Sequence, residues 1–183
     1  MTKSNCSQTT TLKGHSMNYE SRDQIEEKYR WDLSSMYESD EAFEQALVDL
    51  KTYPEQLASY RGKILQSASE LLAYLRLEDH VTLEFEKAWN YAERRSDEDT
   101  RVSKYQAYTA RCMSLYTQLE EAGSWFNAEL LSISEDTIAG FYTDEPALEH
   151  YRRKLEQVLR MRAHTLSAAE EALLARANDA ASQ

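Results

Sequence analysis

The feature of this sequence that most constrains its fold is a stripe of apolar residues repeated at intervals of three and four. Its members are Tyr105, Tyr108, Cys112, Leu115, Leu119 and Ala122. Because an α-helix has 3.6 residues per turn, this spacing places all of these side chains on one helix face. A second stripe with the same spacing consists of Leu148, Tyr151, Leu155 and Val158. Both stripes predict helices that pack against other helices.

The scarcity of turn-forming residues extends this interpretation to the whole chain. The 183 residues include only four Gly and two Pro, and the long segments are rich in helix formers such as Glu, Leu and Ala. We therefore predict an all-α fold, a multi-helix lobe of antiparallel helices with no significant sheet. A chain of this length suits one domain with its own core. We assign residues 1–20 to a flexible polar tail and residues 21–183 to the lobe.

Capping signals mark several helix ends. Ser39 precedes a group of acidic residues and is predicted to cap the helix that follows it. Pro54 is expected to interrupt that helix, and Gly62 to end it in a left-handed conformation. Ser67 and Glu70 have the spacing of a capping box, which predicts the start of the next helix.

Other boundaries are marked less strongly. A separate helix is expected from Asp79 to Arg95, followed by a solvated charged junction over residues 93–99. Its inward-facing residues are expected to include Leu83, Trp89 and Ala92. Residues 124–134 are expected to form a short apolar connector before a helix from Ser134 to Tyr142. Pro146 suits the first turn of the following helix, where its missing N–H is not needed.

Charge and segment lengths limit the partners and the compartment. The chain has 21 Lys and Arg against 32 Asp and Glu, a net charge of −11 that repels phosphate backbones. We therefore predict no nucleic-acid partner. No segment approaches the roughly 20 apolar residues that span a bilayer, and the N-terminus lacks a signal-peptide pattern, so we predict no membrane association. Cys6 and Cys112 lie in dissimilar settings unsuited to a disulfide, which favours a cytoplasmic location.

The sequence contains no recognisable catalytic motif. Zinc peptidases carry His-Glu-x-x-His, but His15, His80, His150 and His164 are followed by Ser, Val, Tyr and Thr. There is also no Gly-rich phosphate loop and no Gly-x-Ser-x-Gly elbow. Cys112 has the spacing of a packed thiol rather than a nucleophile. We therefore assign no catalytic, cofactor-binding or metal residue in this chain.

One local group of residues has two interpretations. His164 precedes Glu170 and Glu171 closely enough that the three side chains could be metal ligands. Ser167 and Glu170 also have the spacing of a capping box, with the two glutamates in the first turn where negative charge is favourable. The capping interpretation explains every residue of the group except His164, so we favour a helix start at Ser167.

Several segments resemble, in order along the chain, motifs of one protein family. They are YRWDLSSMY at 29–37, YRGKIL at 60–65, NYA at 90–92, WFNAELL at 125–131 and RMRAHTLS at 160–167, with the pair Glu170-Glu171 beyond them. These segments are similar to motifs of the oligoendopeptidase F family, zinc metallopeptidases related to thimet oligopeptidase. A departure is Ala128, which stands where the family usually has proline.

The resemblance implies the N-terminal helical lobe of a cytosolic enzyme that hydrolyses short peptides. In that family the zinc ligands lie in a later catalytic domain, so zinc is expected in the full-length enzyme, with no cofactor in this chain. The lobe would pack on that domain and wall the substrate channel. The alternative is a non-catalytic helical interaction or scaffold protein derived from the lobe. A His-Glu-x-x-His motif encoded in frame after Gln183 would distinguish the two.

The resemblance also predicts an apolar docking face for the catalytic domain. We expect this face on the final helices, which lead towards that domain, around Leu155, Leu159, Leu173 and Leu174. Because exposed apolar patches promote association, possible self-association of the isolated chain is expected through this face.

The first testable prediction concerns zinc. Since no motif presents two histidines one helical turn apart, the purified chain should bind zinc no better than an unstructured surface does. Metal analysis after dialysis against a mild chelator measures this. Zinc retained at a stoichiometric level would contradict the prediction and would point to His164 with Glu170 or Glu171.

Overall fold

The computed structural model describes residues 24–164, with side chains to Arg162. Over this range the α-helices are α1 (Asp40–Leu50), α2 (Tyr53–Ala58), α3 (Ala68–Glu98), α4 (Ser103–Gly123), α5 (Phe126–Leu131), α6 (Glu135–Asp144) and α7 (Arg152–Arg160). Short 3-10 helices are formed by Glu27–Tyr29, Pro146–Tyr151 and Met161–His164. No strand occurs between residues 24 and 164, so the predicted all-α fold is confirmed. None of these helices is long and apolar enough to cross a membrane.

The chain divides into two compact units, one ending at Asp32 and the other beginning at Leu33. In the described part of the first unit, the Tyr29 N–H donates to the Glu26 carbonyl at 2.9 Å and closes the 3-10 turn. All of the longer helices belong to the second unit.

The first two helices of the second unit follow their capping signals. The Ser39 hydroxyl accepts a hydrogen bond from the Ala42 N–H at 3.3 Å, and α1 buries Phe43, Leu47 and Leu50. Pro54 lies in the first turn of α2, so the predicted interruption is confirmed. The helix α2 ends at Ala58, earlier than predicted, and the turn that follows it reaches Gly62, whose φ is +77°.

The helix α3 is a single helix of 31 residues, so the prediction of a separate helix beginning at Asp79 is wrong. No Gly or Pro occurs between Ser67 and Asp99 to stop it. The prediction for Leu83 is also wrong, because this side chain is 64% exposed. The residues that α3 buries along this part are Val81, Ala88, Tyr91 and Ala92.

The helices α3 and α4 form an antiparallel pair. The Arg95 guanidinium near the end of α3 lies 5.2 Å from the ring centre of Tyr105 at the start of α4. Further along the pair, the rings of Phe85 and Tyr116 are 5.6 Å apart. The apolar stripe predicted for α4 is confirmed, since its central residues Tyr108, Cys112, Leu115 and Leu119 are buried.

The segment after α4 is more helical than predicted. The expected connector contains α5, whose six residues bury Phe126 and Leu130 but are too few to show a periodic pattern. The helix α6 begins after Ser134, as predicted, with the Ser134 hydroxyl accepting from the Thr137 N–H at 3.0 Å. Pro146 begins a 3-10 helix rather than an α-helix.

The apolar docking face predicted near the final helices is wrong at Leu155. This side chain is fully buried in the core of the unit, and Leu159 is half-buried against that core. Leu173 and Leu174 lie outside the described residues. Leu155 therefore stabilises this chain's own fold and is not available to a partner.

A comparison of two glycines tests the left-handed turn. Replacing Gly62 with alanine should cost about 1 kcal/mol of unfolding free energy, because L-residues disfavour a positive φ. Gly140 lies inside α6 and has open space where a Cβ would be placed. Gly140→Ala should therefore stabilise the protein by about 0.5 kcal/mol or more. Urea denaturation measures both changes, and effects of the same sign would contradict this account.

Candidate functional site

A groove of about 360 Å³ lies between α3 and α4 and is the candidate functional site. Buried apolar side chains line it, including Val81, Leu119 and Phe126. The lining also includes three glutamates, Glu78, Glu86 and Glu120, and it has no lysine or arginine. An apolar surface with a few charged groups is typical of a ligand-binding groove.

Aromatic rings from both helices form the apolar wall of this groove. Phe85 of α3 contacts Tyr116 of α4, and Tyr116 is 45% exposed. One turn beyond Phe85, the ring of Trp89 stacks at a centroid distance of 6.5 Å. Rings held in this way by neighbouring rings offer a preformed surface to an apolar or cationic side chain.

The glutamates of the groove differ in their partners. Glu78 forms an ion pair with Lys154 of α7, which offsets its charge. Within residues 24–162, no cationic side chain pairs with Glu86 or Glu120. The part of the groove next to Phe85 and Tyr116 therefore carries negative charge that this part of the chain does not offset.

The histidines considered in the sequence occupy varied settings. His80 lies on α3 with its Nε2 atom 2.9 Å from the Tyr53 hydroxyl. The His150 ring packs edge-on against Tyr151 at 5.0 Å. The backbone of His164 ends a 3-10 helix, while its side chain and the predicted helix start at Ser167 lie outside the described residues.

The free thiol of Cys112 belongs to the hydrophobic core. Cys112 is completely buried, and burial raises the pKa of its thiol to about 11, as expected for a packed, unreactive cysteine. Among the described side chains, no three His, Cys, Asp or Glu residues are arranged to hold a metal ion.

The charged segment at the end of α3 contacts neighbouring helices, whereas the sequence predicted a solvated junction. Arg95 lies 3.4 Å from a carboxylate oxygen of Asp40 at the start of α1. The same carboxylate accepts hydrogen bonds from the Tyr91 hydroxyl and from Lys104 of α4, both at 2.7 Å. Asp40 thus links the ends of three helices, and this contact could not be recognised from local charge alone.

The pKa of Asp40 reflects this environment. Burial by itself would raise the pKa, but hydrogen bonds from Lys104 and Tyr91 and the charge of Arg95 outweigh burial and hold it below its usual value. A carboxyl whose pKa is lower in the folded state stabilises the fold above its unfolded pKa. That contribution is lost as the pH falls through the folded pKa.

Asp40→Asn tests this contribution. The variant should lose about 1–3 kcal/mol of unfolding free energy at pH 7, since it removes hydrogen bonds to a charged acceptor. The difference from the unchanged protein should shrink below about pH 4, the ordinary pKa of aspartate. Denaturant unfolding across this pH range provides the measurement. Asp136→Asn is the control, because Asp136 is an exposed first-turn acid of α6. A loss independent of pH would contradict the assignment.

The segments that resemble the oligoendopeptidase F motifs supply contacts of the core. The Gly62 N–H donates to the Glu129 carboxylate at 2.8 Å, joining two of these segments that are 67 residues apart. Tyr37 packs against Tyr91, from two further segments, at 5.3 Å. In the last segment, Arg162 donates to the Leu131 carbonyl at 3.0 Å. The shared motifs therefore maintain the scaffold.

Comparisons with known proteins agree with the motifs. The family model described as oligopeptidase F matches residues 129–183. Group B oligopeptidase PepB of Streptococcus agalactiae is 34% identical over 87% of this chain and 27% of its own length. Oligopeptidase PepF of Bacillus subtilis is 34% identical over 86% of this chain and 24% of its own length.

Solved structures show the same relationship. Oligoendopeptidase-F from Enterococcus faecium is 37% identical with a TM-score of 0.61, covering 77% of this chain and 28% of that protein. A putative peptidase from Chlamydophila abortus is 27% identical with a TM-score of 0.75, covering 86% of this chain and 27% of that protein.

The described fold is all-α, and the relatives that it resembles are oligopeptidases. These matches to the oligoendopeptidase F family confirm the resemblance seen in the motifs. The chain spans about a quarter of the length of the curated relatives it matches.

Proposed function

We propose that this chain is the N-terminal helical lobe of a cytoplasmic zinc oligoendopeptidase that hydrolyses short peptides. In this proposal the lobe packs on a catalytic domain and walls a channel that admits only short substrates. The observation that carries the proposal is the match of most of this chain to about a quarter of several oligopeptidases. The groove between α3 and α4 supports it, because the groove offers a preformed surface for a peptide.

The lobe's own residues contribute shape and charge in this proposal, and they perform no chemical step. The zinc ion and its ligands belong to the catalytic domain that the family resemblance implies. The long antiparallel pair α3 and α4 suits a rigid wall, since its buried face is closely packed and Asp40 joins the end of α3 to the start of α4. A rigid wall excludes large substrates without moving.

A hybrid enzyme tests the proposal. In the hybrid, this chain replaces the matching quarter of group B oligopeptidase PepB from Streptococcus agalactiae. We expect the hybrid to hydrolyse short peptides, because the replaced region keeps the same scaffold, and to leave an unfolded full-length protein uncut. Mass spectrometry of the products measures both activities. The matched control carries Leu130→Asp, which places a charge in the core of the lobe and should abolish the activity.

Two results would contradict the proposal. A folded hybrid that cleaves no peptide would show that this lobe does not serve a catalytic domain of the family. A hybrid that cleaves the unfolded protein as readily as short peptides would show that the lobe does not restrict the channel.

A further inference from the structure

We propose that the groove between α3 and α4 selects peptides in which a lysine or arginine lies next to a large apolar residue. Glu86 and Glu120 would pair with the basic side chain, while Phe85 and Tyr116 would contact its aliphatic stem and its apolar neighbour. The inference rests on the proposed function, in which a peptide substrate passes along this lobe.

The positions of these four residues follow from helix geometry. On α4, Tyr116 and Glu120 are four residues apart and therefore lie one turn apart on the same face. On α3, Phe85 and Glu86 are adjacent, and both line the groove. In this part of the groove, Phe85 and Glu86 of α3 therefore lie with Tyr116 and Glu120 of α4. A basic side chain with an apolar neighbour matches this arrangement.

Charge complementarity identifies the occupant. The groove lining includes glutamates but no basic residue, and the described residues offer Glu86 and Glu120 no cationic partner. A positively charged side chain would supply that partner. Its aliphatic stem would pack on the exposed ring of Tyr116, and its charge would be attracted to the ring face. An acidic peptide would be repelled by the same groups.

The size of the groove favours a peptide segment. Its volume of about 360 Å³ is at the lower end of the range of roughly 300–1,000 Å³ typical of small-ligand sites. Such a volume suits one or two side chains. The other candidate occupant is the surface of the catalytic domain, which would cover the groove in the complete enzyme.

A pair of peptides that differ only in charge tests the proposal. The probes are acetyl-Gly-Phe-Arg-Gly-amide and the same peptide with citrulline, which has nearly the shape of arginine but no charge. Calorimetric titration compares their binding to the chain. We expect the arginine peptide to bind about fivefold more tightly or better at low salt, because each solvent-accessible ion pair contributes about a factor of two to five. High salt should reduce this preference.

Two double variants locate the effect. In the variant with Glu86→Gln and Glu120→Gln, the arginine and citrulline peptides should bind with about equal affinity, since both carboxylates are removed. Glu38→Gln with Glu121→Gln is the matched control, because it removes the same charge from exposed residues outside the groove. The control should retain the preference. Circular dichroism at 222 nm confirms that both variants keep their helices.

The hybrid enzyme then separates this inference from the proposed function. We expect its kcat/KM for the arginine peptide to exceed that for the citrulline peptide, with the preference lost in Glu86→Gln with Glu120→Gln. Equal binding of both peptides, or a preference that survives loss of both groove glutamates, would overturn the inference. A hybrid that hydrolyses both peptides equally would also overturn it, because the catalytic domain would then cover the groove, yet the proposed function would stand.

Discussion

The packing of α4 along α3 is the contact on which the rest of the second unit depends. The helix α1 inserts Phe43 between Tyr91 of α3 and Tyr108 of α4, with ring centres 5.0 and 4.5 Å away.

The later helices also pack on this pair. Phe126 of α5 stacks on Tyr74 of α3 at 4.8 Å. The Tyr151 hydroxyl, just before α7, donates to Asp79 of α3 at 2.7 Å. Without the α3–α4 pair, none of these elements would have a surface on which to bury its apolar side chains.

The same pair gives the lobe its functional surface. The side of the pair that carries Phe85 and Tyr116 is open to solvent as a groove, and Leu57 of α2 contributes to its lining. Gly62 and Glu129, from two segments that resemble oligoendopeptidase F motifs, join the turn after α2 to α5. Phe126 and Asn127, which belong to the family-like segment at 125–131, also line the groove.

Prediction from sequence succeeded where the signal was local or periodic. The caps predicted at Ser39 and Ser67 both accept the expected backbone hydrogen bonds, since capping involves residues within one turn. It failed at α5, which is too short for periodicity. It also failed for Leu83, because α3 rotates its buried face along its length and packs on different partners at its two ends.

The sequence alone determined that this chain is helical, where most helices begin, and which family it resembles, because these properties depend on spacing and on short motifs. Only the tertiary structure showed that Glu86 and Glu120 line one groove, and that Asp40 meets Arg95 and Lys104. These residues are far apart along the chain. The antiparallel packing of α3 and α4 brings the two glutamates together. No local sequence pattern predicts which faces of two helices will be in contact.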